Sequence, residues 1–182
     1  MTNAYRITLT TLFFALMLAS CKKATENAGA GGEYYIKFNF DGVAKTLKNG
    51  HGGLSNTSGV CSGGLYARSA DTVKESNILL LDSLPFTTGK TYKCILVKAN
   101  KINDVPQTLL TYYDEHNVHY GATYVGYDPP PQPAEYINLK FSEITSTYLK
   151  GTFDAAVVLT PYHTSYPVHQ ITNGEFYLKR TY

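Results

Sequence analysis

From Tyr34 onward apolar and polar positions alternate with a period of two, and clusters of turn residues interrupt the alternation. In Tyr34 to Phe40 the even positions are all apolar or aromatic while Lys37 and Asn39 point the other way, which predicts a half-buried strand. Asp41-Gly42 then supplies the residues a tight hairpin prefers, and Val43 to Leu47 returns as its partner. Residues 48–58, rich in Gly, Asn and Ser, lose the apolar periodicity and read as a loop. Further strands are predicted at 60–69, 77–81, 90–98, 107–113, 118–125, 136–141, 147–159 and 169–179. Ile137/Leu139/Phe141 and Leu149/Phe153/Ala155/Val157/Leu159 each define one face. Pro129, Pro130, Pro131 and Pro133 cannot donate to a sheet ladder, so that stretch predicts a stiff polyproline-like connection. About ten short antiparallel strands without helical crossovers predict an all-β fold, an antiparallel β-sandwich, with an up-and-down β-barrel as the competing closure.

The N-terminus follows a different pattern. Arg6 precedes an uninterrupted run from Ile7 to Leu18 without a charge, too short for the ~20 residues that span a bilayer core, and this predicts a cleaved export signal over residues 1–20. Leu18-Ala19-Ser20-Cys21 resembles the lipobox of bacterial lipoproteins, in which the cysteine thiol takes a diacylglyceryl group before cleavage. The resemblance implies that Cys21 is lipidated and anchors the protein in a membrane, a hold of about 0.8 kcal/mol per buried methylene. Residues 21–33 then form a small, polar tether, reaching on the order of 20 Å for about a dozen residues. That leaves residues 34–182 as a single folded domain.

Composition narrows the function classes. A net charge of +2 without any long Lys/Arg run argues against a nucleic-acid partner. There is no G-x-S-x-G elbow, P-loop, dinucleotide fingerprint or zinc spacing, so no catalytic residue, metal site or cofactor is assigned. Asp114-Glu115-His116-Asn117-Val118-His119 holds possible ligands, but a spacing of three puts the histidines on opposite faces of a strand, and 114–117 reads as a solvated turn. Cys61 and Cys94 lie in separate predicted strands of an exported chain, where they form one disulfide or remain as two buried thiols. Asp71-Thr72-Val73 and Asp82-Ser83-Leu84 resemble the Asp-Ser/Thr-apolar sequon of Bacteroidota O-glycosylation, which marks Thr72 and Ser83; the competing reading is local Asp and Ser/Thr hydrogen bonding at strand ends.

The chain has 16 tyrosines and no tryptophan. Tyr112, Tyr113, Tyr120, Tyr124 and Tyr127 crowd one predicted hairpin, and alternation forbids Tyr112 and Tyr113 from both facing a core. This hairpin is therefore the expected binding surface, although strands favour tyrosine for packing alone.

Leu149-Lys150-Gly151-Thr152-Phe153 and Ile171-Thr172-Asn173-Gly174-Glu175-Phe176 are similar to the last strands of small Bacteroidota lipoproteins of unknown function, as is the opening hairpin at Asp41-Gly42. The resemblance implies an all-β, lipid-anchored outer-membrane protein, facing the periplasm or the cell surface, and carries no activity with it. In physical terms, Gly151 serves a close approach or bulge and Asn173-Gly174 a bend with positive φ. The resulting expectation is a non-enzymatic binding or structural module, which binds a glycan, an envelope component or a protein partner or serves as a structural subunit of an outer-membrane assembly, with an envelope hydrolase acting on a glycan or other polymer as the alternative.

Overall fold

The computed structural model describes residues 33–70, 73–93, 107–122, 136–160 and 167–182. Ten strands are present among the described residues: β1 (Tyr35–Phe40), β2 (Val43–Thr57), β3 (Val60–Arg68), β4 (Ser76–Asp82), β5 (Thr91–Lys93), β6 (Gln107–Tyr113), β7 (His119–Ala122), β8 (Tyr136–Ile144), β9 (Tyr148–Leu159) and β10 (His169–Arg180). Among the described residues there is no helix.

Antiparallel pairing runs β1–β2–β3–β4–β6–β7–β9–β10 and returns from β10 to β1, so eight strands close into a barrel. The up-and-down barrel therefore replaces the sandwich. Pairing of β10 with both β1 and β9 removes the open edges that two stacked sheets would keep. β8 and β5 are extra strands: β8 pairs along β9 from Ile144↔Leu149 to Tyr136↔Ala156, and β7 takes the same edge at Tyr120↔Leu159 and Gly121↔Val158.

Local chemistry explains the turns. Asp41 and Gly42 both have positive φ (48° and 82°), as do Ser58 and Gly59 (54° and 78°), which gives two-residue hairpins whose twist matches the flanking strands. The segment expected as a loop over 48–58 is instead the second half of β2. Asn49 at φ 56° forms a bulge between Lys48 and His51 that restarts the ladder, and Gly50 and Gly52 then lie where a Cβ would strike Leu178 (2.6 Å) and the carbonyl of Gly64 (2.6 Å). Glycine there serves close packing within a strand. Asn173 (φ 52°) likewise marks the β10 bulge, and a side chain at Gly151 would collide with the Lys140 carbonyl and the Phe176 ring.

Inward positions carry Ile36, Phe38, Leu65, Leu80, Leu110, Tyr112, Phe153, Val157, Phe176 and Leu178, all buried. They fill the lumen. The void lined by Ile36, Phe38, Ile78, Leu110, Tyr112 and Phe153 measures about 20 Å³, room for about one water, so no ligand chamber exists among these side chains. Phe86 and Tyr92 pack on Phe141 at 6.2 Å and 6.0 Å, adding the extra strands to the same core.

Candidate functional site

With the lumen filled, attention moves to the outer face. Over β1, β9 and β10 it is charged: Lys37 lies 3.8 Å from Glu175, and Lys150 lies 3.7 Å from Glu143. The outer face of β2, β3, β4 and β6 is different. Register places three cross-strand rows there: His51, Tyr66, Asn77 and Thr111; then Gly53, Gly64, Leu79 and Leu109; then Ser55, Ser62, Leu81 and Gln107.

The middle row makes the site. Gly53 and Gly64 are direct partners, and their missing side chains leave a notch in the sheet surface. The Tyr66 ring folds back over Gly64 and the Tyr182 ring lies over Gly53; a Cβ at either glycine would strike them. Tyr182 is brought there by the tail after β10, which runs parallel to β2 at Lys179↔His51 and Arg180↔Gly52. Thr181 N donates to the Gly52 carbonyl at 2.9 Å. Leu79, 37% exposed, with Leu81 and Leu109, forms the opposite wall of a groove of about 270 Å³.

Polar groups rim the groove. The His51 ring stacks on Tyr66 (centroids 5.3 Å, 16°), and its Nε2 lies 3.7 Å from Glu75 Oε1. Ser55 Oγ and Ser62 Oγ share a 2.7 Å hydrogen bond. Burial, then the neighbouring Tyr182 and Glu75, pushes the Tyr66 phenol above its ordinary value, so it remains a neutral hydroxyl that both donates and accepts. Among the described residues no Lys, Arg, Asp or Glu lines the groove itself.

The expected tyrosine surface divides by strand parity. Tyr112 is not a surface residue: even positions of β6 point into the barrel, and its ring packs edge-on against Phe38 at 5.1 Å, 3% exposed. Burial, followed by Glu115, Asp114 and Tyr120, drives its phenol far above the ordinary value. Tyr120 is half-buried at the rim against Phe40 (4.9 Å) and His169 (5.1 Å). Tyr113 points outward, stacked on His119 at 4.8 Å with Lys74 Nζ 4.9 Å from its centroid, on the same face as the groove. Tyr124 and Tyr127 lie outside the described residues, as do Cys21, Thr72, Cys94 and the proline-rich connection.

The 114–117 segment is the turn its sequence predicts: Asp114 Oδ1 accepts from His116 N (2.9 Å) and Val118 N (2.8 Å), and Asn117 takes φ 61°. Among the described residues no group of three or more His, Cys, Asp or Glu could hold a metal ion. Cys61 points inward, 2% exposed, and forms no disulfide with any described residue. Ser83 is exposed, while Asp82 beside it accepts from Lys90 Nζ (2.7 Å) and Leu84 N (3.2 Å), the local hydrogen bonding that competes with the glycosylation reading.

A second depression of about 610 Å³ crosses the outer faces of β8, β9 and β10 and contains two carboxylates. Asp154 accepts from Asn138 Nδ2 at 2.9 Å, and Glu175 lies 3.8 Å from Lys37 Nζ. Both are engaged with neighbours on the sheet.

No family model, curated protein or solved structure matches this chain. The sequence did carry a signal for the groove, in the unbroken apolar run Ile78 to Leu81 and the glycine pairs at 52–53 and 63–64. A strand apolar at consecutive positions is built for contact on both faces.

Proposed function

We propose that this protein is a lipid-anchored envelope protein, held at the outer membrane through Cys21, whose barrel acts as a non-enzymatic binding module. Support for the anchor is Leu18-Ala19-Ser20-Cys21 at the end of an apolar stretch, followed by a small polar tether. The observation that carries the binding role is the groove: leucine and tyrosine side chains stand together on an outer barrel face, where an idle surface would be polar. The filled lumen directs recognition to this outer face.

Two measurements test the reading. Labelling with radioactive palmitate should mark the native chain and leave Cys21→Ser unmarked; an unlabelled native chain overturns the anchor. Retention of envelope material by the purified protein should drop at least tenfold in Leu79→Lys, because a charge placed in the wall of the groove must be desolvated when a ligand seats. Equal retention by Leu79→Lys and the parent overturns the groove as the binding site.

A further inference from the structure

The chemistry of the groove narrows the ligand, on the premise that the groove is a binding site at all. We infer that it takes a neutral glycan, with a pyranose ring seated between the Leu79 and Leu109 side chains and the Tyr66 and Tyr182 rings.

Size is the first argument. Three rows two residues apart across four strands measure about 14 Å by about 14 Å, on the order of 200 Å². A stable protein–protein interface needs about 800 Å² from each partner, so the patch is several-fold too small to hold a protein by itself. At about 270 Å³ the groove sits just below the ~300–1,000 Å³ of sites that enclose a whole small molecule, and it suits a chain gripped over one or two of its units.

Shape is the second. The paired glycines let the Tyr66 and Tyr182 rings lie close against the sheet, so these rings, with Leu79 and Leu109, present the surface that a sugar ring would meet. One face of Tyr66 is covered by His51, and the ring also lines the groove. The π-face of a tyrosine is electron-rich, and the axial C–H groups of a pyranose, polarised by the ring oxygens, lie against such a face favourably.

Polarity is the third. A sugar has apolar faces and a belt of hydroxyls, and this site has the complementary layout. The apolar middle row lies between His51, Tyr66, Asn77 and Thr111 on one side and the Ser55–Ser62 hydroxyl pair on the other. These side chains donate and accept at the edges of a ligand ring. His51 and Glu75, at the edge of the first row, face each other at 3.7 Å. With no cation among the described residues that line the groove, a sulfated or uronate-rich chain would bring charges that none of them neutralises.

The test is native affinity electrophoresis of the full lipidated protein in detergent, through gels containing soluble β-glucan, xylan or mannan. At least one of these neutral polysaccharides should retard the protein. Retardation should weaken at least tenfold in Tyr66→Ala and Leu79→Asn, while Lys150→Ala, on the opposite outer face, should run like the parent. Circular dichroism melts establish that each variant is folded, and the exposed Tyr182→Ala supplies a variant with little folding risk. Retardation only by a sulfated or uronic polysaccharide overturns the inference, as does retardation that Tyr66→Ala and Leu79→Asn leave unchanged. Treating the captured envelope material separates the two levels of the proposal. Binding abolished by periodate and resistant to protease supports a glycan. Binding abolished by protease, resistant to periodate and still lost in Leu79→Lys overturns the glycan while leaving the binding module standing.

Discussion

Asp82 shows how a single residue ties the barrel to pH. Its side chain is 3% exposed and lies 2.7 Å from Lys90 Nζ, which is itself 40% exposed. Burial alone would raise the carboxyl; the hydrogen bond from Lys90, the Leu84 N–H, the charge of Lys90 and the Ser83 N–H together outweigh it and hold the group below the usual range. Asp41 follows the same logic: burial is outweighed by hydrogen bonds from His169 (2.6 Å) and Gln170 N (2.8 Å) and by the charge of His169. A carboxyl depressed in the folded state gives up its proton more readily there than in the unfolded chain, so unfolding takes up protons in acid. The stabilisation is full above the unfolded value near pH 4 and is lost as pH falls through the lower folded value. Urea midpoints measured from pH 6 down to pH 2 should therefore fall, and Asp82→Asn should flatten part of that fall by about 1 kcal/mol, a modest figure because solvent screens Lys90. At this scale the sequence was half legible. Alternation required Tyr112 and Tyr113 to part company, but which of them faced inward depended on the register of β6 with β4 and β7.

Among the elements, β2 departs furthest from its sequence pattern. Wherever their ends lie in described residues, strand periodicity located the other strands within a few residues, because each pairs an apolar stripe with a polar one. In β2 that stripe vanishes after Leu47, since Gly50, Gly52 and Gly53 replace side chains with room for Leu178, the β3 backbone and Tyr182. A window of sequence cannot distinguish glycine used for a turn from glycine used for a close approach, because the atoms approached are far away along the chain. The Asn49 bulge makes the continuation possible. Asn49→Gly should leave stability unchanged or slightly raised, whereas Asn49→Val should cost about 1–2 kcal/mol, since a β-branched residue resists positive φ. Denaturant unfolding checks both, and equal midpoints for the two variants would remove the bulge from the account. The same element carries one side of the groove, so its misreading as a loop hid His51, Gly53 and Ser55 together.

For the whole molecule, eight strands give a barrel just wide enough for side chains to fill, and here aromatic and branched residues do fill it. Fluorescent fatty acids should accordingly gain no emission on mixing with the native protein, and a saturable gain would show a lumen open to ligands. Phe153→Ala should cost about 3–5 kcal/mol in denaturant unfolding, because the space left in a close-packed lumen collapses poorly. Strands of period two and the Asp41-Gly42 hairpin dipeptide are local features, and the sequence by itself determined them: an all-β domain and its first tight turn. Closure into a barrel depended on β10 meeting β1 across nearly the full length of the folded chain, a pairing that no local pattern encodes. Tertiary structure alone also sent Tyr112 into the core and set Tyr66 and Tyr182 on two facing glycines. A site assembled from β2, β3, β4, β6 and the tail after β10 exists only once register has fixed which residues lie side by side.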